Sequence, residues 1–209
     1  MENRKQEIRS TIDKHIKIDI IPGHFATNHS HVNYYIDMTK IKTHHKMAKR
    51  CADVLAAKFA GTPIDTIVCL EGTEMLGAFL AESLSSNGIN VGTDVYVVTP
   101  ELNSNGQMIF RDNIQSAIWG KNILLLISSA STGKTISRSE ECIKYYNGTL
   151  NGIAAIFSAI TEANGMQIHC VFDDEEIPKY ITCSSADCPM CKERLKVDAL
   201  INSFGYSKI

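Results

Sequence analysis

Two kinds of hydrophobic pattern alternate along the middle of this chain. Residues 43–60 and 74–86 carry apolar side chains at helical spacing, which predicts two amphipathic helices. Short and continuous apolar runs, which are typical of buried parallel strands, stand around them. These runs span residues 65–70, 94–98, 122–127, 153–157 and 168–172. Strands that alternate with helices predict an α/β fold, with a doubly wound, mostly parallel sheet covered by helices on both faces.

Two segments depart from this alternation. Residues 1–20 alternate charged side chains with isoleucine, and we expect a short helix there that leads into a strand. Residues 100–120 are polar and rich in turn formers, which indicates an exposed, flexible flap. At 209 residues and 44% hydrophobic, the chain suits a single domain. We expect a small N-terminal hood (1–40), a core (41–175) and a C-terminal tail (176–209).

Composition narrows the classes of partner. The formal net charge of −2 gives no reason to expect nucleic acid or an anionic membrane surface. The polar N-terminus lacks the apolar segment of a signal peptide, and no apolar run is long enough to span a bilayer. The seven cysteines, an odd number, are typical of reduced thiols. We therefore expect a soluble cytoplasmic protein with small-molecule partners, binding neither nucleic acid nor membrane.

The sharpest chemical signal follows the most apolar run. A turn of small residues from 128 to 135 opens a predicted helix, and hydroxyls, a glycine that lets the backbone approach, and a helix N-terminus together make an anion site. The phosphate-binding candidates are Ser131, Thr132, Gly133, Lys134 and Thr135. A Walker A loop is excluded, because Ser128 stands where that motif needs glycine. An ordinary turn, whose hydroxyls only cap the helix, stays open as an alternative.

A second turn of this kind follows another predicted strand. Glu71, Gly72 and Thr73 come directly after the apolar run at 65–70. Ligands of parallel α/β sheets bind beyond the carboxyl ends of the strands, so both turns belong to the edge where a ligand is expected.

These motifs resemble those of the type I phosphoribosyltransferase family. The aliphatic run at 123–127 and the Thr-Gly-Lys-Thr of residues 132–135 match the two ends of that family's phosphate motif. Residues 23–37, with Phe25, Ser30 and the pair Tyr34-Tyr35, are similar to the orotate phosphoribosyltransferase branch. The Cys-Pro-Met-Cys of the tail is also similar to some members of that branch. The resemblance extends from about residue 23 to residue 192.

The resemblance implies a fold, a ligand and a reaction. Residues 131–135 would hold the 5′-phosphate of phosphoribosyl pyrophosphate (PRPP) or of a ribose 5-phosphate, and residues 71–73 would hold the pyrophosphate with Mg²⁺. Phe25, Tyr34 and Tyr35 would bind a pyrimidine base such as orotate. A base nitrogen would displace pyrophosphate, as in a glycosyltransferase of nucleotide metabolism. The resemblance also implies a homodimer.

Two features of that family's pattern are missing. The acidic pair that grips the ribose is replaced by Ile127 and Ser128, or with one gap by the ribose-facing candidates Ser128 and Ser129. The flap offers Arg111 instead of several lysines, so Glu71 and Arg111 are the catalytic candidates that the sequence leaves. Three hypotheses stay open: a transferase, a binding module that senses PRPP or a nucleotide without turnover, and an enzyme in which serines with Glu71 or Glu74 replace the lost acids.

The remaining candidates are cysteines and histidines. Cys188 and Cys191 have the spacing of a zinc or redox pair, with Cys183 as a third thiol and His169 and Cys170 as further ligands. One such pair without a second is weak support for zinc, so a plain pair of tail cysteines is the favoured interpretation. We interpret the five histidines between residues 24 and 45 as surface or base-pocket groups rather than metal ligands.

Overall fold

The computed structural model describes residues 2–103 and 107–209, so residues 104–106 of the predicted flap lie outside the described part. Its helices are α1 (Thr39–Thr43), α2 (His45–Lys58), α3 (Glu74–Ser86), α4 (Lys134–Tyr145) and α5 (Pro189–Lys192). Its strands are β1 (Gln6–Arg9), β2 (Lys17–Ala26), β3 (His31–Asp37), β4 (Thr66–Cys69), β5 (Tyr96–Val98), β6 (Glu101–Leu102), β7 (Met108–Ile109), β8 (Asn122–Ala130), β9 (Thr149–Ser158), β10 (Glu162–Ala163), β11 (Met166–Asp173), β12 (Thr182–Cys183), β13 (Ala199–Asn202) and β14 (Gly205–Lys208).

The central sheet has the strand order β10-β11-β9-β8-β4-β5. All neighbours in it are parallel except the short β10, which is antiparallel to β11. Alternate residues of each inner strand point to opposite faces, and both faces are covered. Leu124 and Leu126 pack in the layer that contains α2 and α3, while Leu125 packs with Ile136 and Ile143 of α4. This confirms the predicted α/β class and explains why the inner strands carry apolar residues on both faces.

A second sheet is built from both ends of the chain. Its order is β12-β3-β2-β13-β14, with β1 added to β2. The predicted hood and the predicted tail therefore share one sheet, which we call the hood sheet. Strand β13 lies parallel to β2, with Ala199 opposite Phe25.

The N-terminus differs from the expected helix. Residues 2–4 form a single 3₁₀ turn, and β1 then pairs antiparallel with β2. The alternation of charge and isoleucine is a strand pattern of period two: Ile16, Ile18 and Ile20 are all buried against the core, and the side chains between them point away. In the described segments 2–103 and 107–209, none of the helices has the length and apolar character that crossing a bilayer takes.

Candidate functional site

A cleft of about 310 Å³ lies between the hood sheet and the carboxyl end of the central strand β8. Hood residues 27–30, strand β3, the turn after β8 and the loop after β13 all line it. The cleft therefore lies at the edge where parallel sheets bind ligands.

The turn after β8 is shorter than the sequence pattern predicts. Strand β8 continues to Ala130, because Ser129 and Ala130 still pair with Phe157 and Ser158 of β9. The turn is then Ser131-Thr132-Gly133, and helix α4 begins at Lys134. All five phosphate-binding candidates, residues 131–135, line the cleft.

The N-terminus of α4 has no side-chain cap. Its N-cap is Gly133, so the amides of the first helical turn donate to no capping side chain. The positive end of the helix dipole also faces the cleft, and the Lys134 side chain in the cleft lining adds a formal positive charge. This turn offers donors and positive potential to an anion in the cleft.

Gly133 is required by its backbone rather than by lack of space. Its φ of +74° lies in the left-handed region, which favours glycine. A Cβ at this position would stand 3.5 Å from Ala163 and Ile160, at ordinary contact distance. The left-handed backbone is thus a second reason for glycine at this position, and the close approach of the backbone to an anion stays a prediction.

The turn after β4 is also built on left-handed backbone, at Glu71 (φ +62°) and Gly72 (φ +79°). Thr73 does not present its hydroxyl to the cleft. Its side chain is buried and donates to the carbonyls of Leu70, at 2.8 Å, and Leu126, at 3.2 Å. Glu71 is the residue of this turn that lines the cleft.

Lys42 of helix α1 supports that turn. Its Nζ donates to the backbone carbonyl of Glu71 at 2.7 Å and to that of Ser203 at 2.6 Å. Burial lowers the pKa of this ammonium group, while the nearby Glu71 and Glu74 oppose the shift. One side chain thus joins α1, the turn after β4 and the loop after β13 around the cleft.

The two serines that replace the expected acidic pair have different environments. Ser129 lines the cleft, as predicted for a ribose-facing residue. Ser128 is fully buried, and its hydroxyl donates to the carboxylate of Glu71. The prediction that Ser128 faces the ribose is wrong, because successive residues of a strand point to opposite faces.

A scan against protein-family models and a search of curated proteins gave no match for this chain. Solved structures do match. A phosphoribosyltransferase from Corynebacterium diphtheriae has a TM-score of 0.55 at 13% identity, covering 76% of this chain and 90% of that one. An adenine phosphoribosyltransferase from Thermoanaerobacter pseudethanolicus has a TM-score of 0.51 at 17% identity, covering 82% and 96%. The orotate phosphoribosyltransferase of Mycobacterium tuberculosis, in complex with PRPP, has a TM-score of 0.51 at 14% identity, covering 68% and 82%.

These matches extend over most of each chain and agree with the architecture described above. The chain has the type I phosphoribosyltransferase fold. At these identities the likeness concerns the fold, and the chemistry of the cleft depends on this chain's own residues.

Within this phosphoribosyltransferase fold, the three base-binding candidates do not all lie in the cleft. Tyr34 and Tyr35 line the cleft. Phe25 is fully buried with Ile21, Val32, Tyr35 and Ala199, which we call the hood cluster. Its ring centroid lies 6.3 Å from that of Tyr35, so its assignment to a base site is wrong. Burial raises the pKa of Tyr35 to about 12, and its ring packs edge-on against Tyr206.

The catalytic candidate of the flap, Arg111, forms an ion pair outside the cleft. Strands β6 and β7 of the flap pair antiparallel, and Arg111 makes two hydrogen bonds to the carboxylate of Glu101, at 2.6 and 2.8 Å. Arg111 does not line the cleft of the described structure. Hydrogen bonding and charge from Arg111 hold the pKa of Glu101 below its usual range. The catalytic role expected for Arg111 does not fit this arrangement.

The thiol candidates are also partly wrong. The candidate metal group found in the described residues contains Cys188 and Cys191 but not Cys183, and its other two members are His24 and His31. His169 and Cys170 lie on β11 of the central sheet, where His169 packs edge-on against Phe59. His24 is therefore neither a surface group nor a base-pocket group, since it is buried away from the cleft lining.

Sequence reasoning missed three residues of the cleft region: Lys42, Tyr180 and Asn202. The Tyr180 phenol is hydrogen-bonded to the side chain of Ser131; burial raises its pKa, and this bond opposes the shift. Tyr180 and Asn202 line the cleft from the predicted tail. No local signal marks them, because their partners lie far away in sequence.

Proposed function

We propose that this protein binds PRPP in the cleft, with the 5′-phosphate on residues 131–135. The observation that carries the proposal is the glycine-capped N-terminus of α4, which opens into the cleft at the end of the central strand. A phosphate dianion would accept from the first-turn amides and from the hydroxyls of Ser131, Thr132 and Thr135.

The turn after β4 supports the proposed place of the pyrophosphate. Left-handed backbone at Glu71 and Gly72 directs this turn along the cleft, and Lys42 provides a positive charge behind it. Mg²⁺ binds oxygen ligands, often one or two carboxylates together with substrate phosphates. Glu71 fits this requirement as the carboxylate in the cleft lining, held by the Ser128 hydroxyl. When bound, the ion would neutralise charge on the leaving pyrophosphate.

The proposed reaction is transfer of the phosphoribosyl group to a nitrogen of a pyrimidine-type base such as orotate. The bond from C1′ to pyrophosphate breaks as the bond to the base nitrogen forms. Tyr34 lines the cleft and offers a face for a planar base. On this proposal, the chain contributes orientation through the two turns and charge stabilisation through α4, Lys42 and Glu71.

A second candidate function is ligand sensing without turnover. Two observations favour it: Ser129 presents a hydroxyl where a carboxylate would grip the ribose, and Arg111 is held by Glu101 away from the cleft. A protein with these features would keep phosphate affinity while lacking part of the charge stabilisation that transfer requires.

One pair of measurements separates the two functions. Calorimetric titration with PRPP and Mg²⁺ should show binding under both, and release of pyrophosphate with orotate or another pyrimidine base should occur only for the transferase. Binding without release would establish the sensor, and absence of binding would contradict both. As a control for adventitious anion binding, inorganic sulfate should compete only weakly.

We also propose a homodimer in the cytoplasm. The cysteines of the chain, all within the described residues, are unpaired, which is consistent with a reducing compartment. Light scattering tests the assembly: twice the chain mass of 23.1 kDa supports the proposal, and the mass of one chain contradicts it.

A further inference from the structure

Four side chains from distant parts of the sequence meet at one edge of the hood sheet. His24 lies near the end of β2, His31 begins β3, and Cys188 and Cys191 flank the start of α5. One nitrogen or sulfur atom from each lies within 4.8 Å of the others. We call these four residues the Cys₂His₂ cluster.

The separations between these atoms are those of ligands around one small ion. His24 Nε2 lies 3.6 Å from Cys188 Sγ and 3.7 Å from Cys191 Sγ, and His31 Nδ1 lies 3.3 Å from Cys191 Sγ. For a tetrahedral zinc site, bond lengths near 2.0–2.1 Å to nitrogen and 2.3 Å to sulfur place neighbouring ligand atoms roughly 3.3–3.8 Å apart. The two facing nitrogens are 2.8 Å apart, so these rings would separate slightly around an ion.

The surroundings already orient the ligands. His24 Nδ1 lies 2.9 Å from the carbonyl oxygen of Leu195, and a proton on Nδ1 leaves Nε2 with its lone pair directed at the cluster. The His24 backbone amide donates to Asp198 at 3.0 Å, which fixes the residue from a second side. Cys183 lies beside the cluster without belonging to it: its thiol donates to the carbonyl oxygen of His31 at 3.7 Å and is hydrogen-bonded to the Cys188 side chain.

Without an ion, His24 Nε2 and His31 Nδ1 share one hydrogen bond. The two thiols add only weak contacts to it, since sulfur is a weak donor and a weak acceptor. Deprotonated thiolates and neutral imidazoles are the ligands that zinc selects, and two of each form a closed structural site.

We propose that the Cys₂His₂ cluster binds one Zn²⁺ ion, which ties the two ends of the chain together. The proposal is independent of the function assigned to the cleft. The tail reaches the hood through α5 and β13, and the end of β13 and the loop after it carry Asn202 and Ser203 into the cleft lining. The ion thus stabilises the hood sheet and, through it, one wall of the cleft.

The test uses the full chain, purified under reducing conditions from zinc-supplemented medium. Elemental analysis should give about one zinc per chain, as expected for a closed four-ligand site. Chelation should lower the melting temperature, and added zinc should restore it. Cobalt added to the metal-free chain should produce the visible absorption of a tetrahedral thiolate-bound ion.

Matched variants locate the ion. Cys191→Ser and His31→Ala should lose the stoichiometric zinc and the cobalt absorption, whereas Cys183→Ser and Cys170→Ser should keep both. Because a ligand variant can fail to fold, thiol titration of the wild-type chain gives a second readout: two thiols should become reactive only after chelation. Absence of zinc and of the cobalt band in the wild-type chain would overturn the proposal, and so would a Cys188–Cys191 disulfide that persists in the chain purified under reducing conditions.

Discussion

The two turns at the carboxyl ends of β8 and β4 have similar positions but opposite chemistry. The turn after β8 exposes uncapped amides and hydroxyls to the cleft. In the turn after β4, Thr73 donates to two carbonyls, the carbonyl of Glu71 accepts from Lys42, and its carboxylate accepts from Ser128. The first turn offers its groups to a ligand, while the second uses most of its groups to hold itself in place.

The difference shows what each turn contributes. A dianion needs several convergent donors, which one helix N-terminus supplies locally. A turn with two successive left-handed residues is strained and requires support from its surroundings. Lys42 and Ser128 give that support, which leaves the Glu71 carboxylate as the group that reaches a ligand from this side. The following substitutions distinguish residues that bind the ligand from residues that hold a turn in place.

The largest effect is expected for Ser128→Asp. A second carboxylate, buried against Glu71, would lower the free energy of unfolding by about 3 kcal/mol, because an unpaired buried charge is strongly destabilising. Chemical denaturation measures the loss. Ser129→Asp is the matched control, since Ser129 faces the cleft: its stability should change little, and its Mg²⁺-dependent affinity for PRPP should rise. Equal destabilisation by the two variants would contradict their assignment to opposite faces.

Gly133→Val should weaken binding of ribose 5-phosphate by at least about tenfold, because a β-branched residue at φ +74° adds strain of roughly 1–3 kcal/mol. The turn would then leave the conformation that aims its amides at the phosphate. Titration calorimetry provides the affinity. Gly92→Val places the same residue at φ +77°, in open space outside the cleft lining, and should bind normally. If both variants bind alike, the turn after β8 is not the phosphate site.

Glu71→Gln should reduce the Mg²⁺-dependent part of PRPP affinity by about tenfold, which corresponds to 1.4 kcal/mol. The amide still accepts from Ser128, so the turn should keep its shape while the charge is lost. Titrations with Mg²⁺ and with chelator isolate the effect. Glu74→Gln serves as the control, because Glu74 does not line the cleft. An unchanged Mg²⁺ dependence in Glu71→Gln would remove Glu71 from the site.

The smallest effect is expected for Glu101→Gln in the flap. The pair with Arg111 is exposed, and such pairs contribute little to stability. Since Arg111 holds the pKa of Glu101 below its usual range, this contribution is complete at neutral pH and disappears as the pH falls through that lowered value. Melting temperatures of the variant and the wild type should therefore converge in acid. A difference that grows in acid would show that the pair does not form.

Local patterns allowed part of this structure to be predicted. The helices α2 and α3 and the strands of the central sheet follow from short-range periodicity, and the anion turn follows from five contiguous residues. The Cys₂His₂ cluster could not be predicted in the same way. His24 and Cys188 are 164 residues apart, and they meet because β13 joins β2 in the hood sheet. Lys42 was missed for the same reason, since its acceptors lie 29 and 161 residues away.

Errors at single positions also have identifiable causes. The run of small polar residues predicts a turn that begins at Ser128, yet pairing with β9 keeps Ser128 in β8 and directs it to the opposite face from Ser129. Phe25 matched a motif position but is enclosed by Tyr35 and Ala199 in the hood cluster. In both cases a long-range strand pairing decided which way the side chain points.

The central claim is that the uncapped N-terminus of α4 holds a ribose phosphate. A crystal structure of the chain grown with ribose 5-phosphate tests it most directly. The account predicts phosphate oxygens within about 3 Å of the amides and hydroxyls of residues 131–135. Phosphate bound elsewhere, with this turn filled by the chain's own side chains, would contradict it.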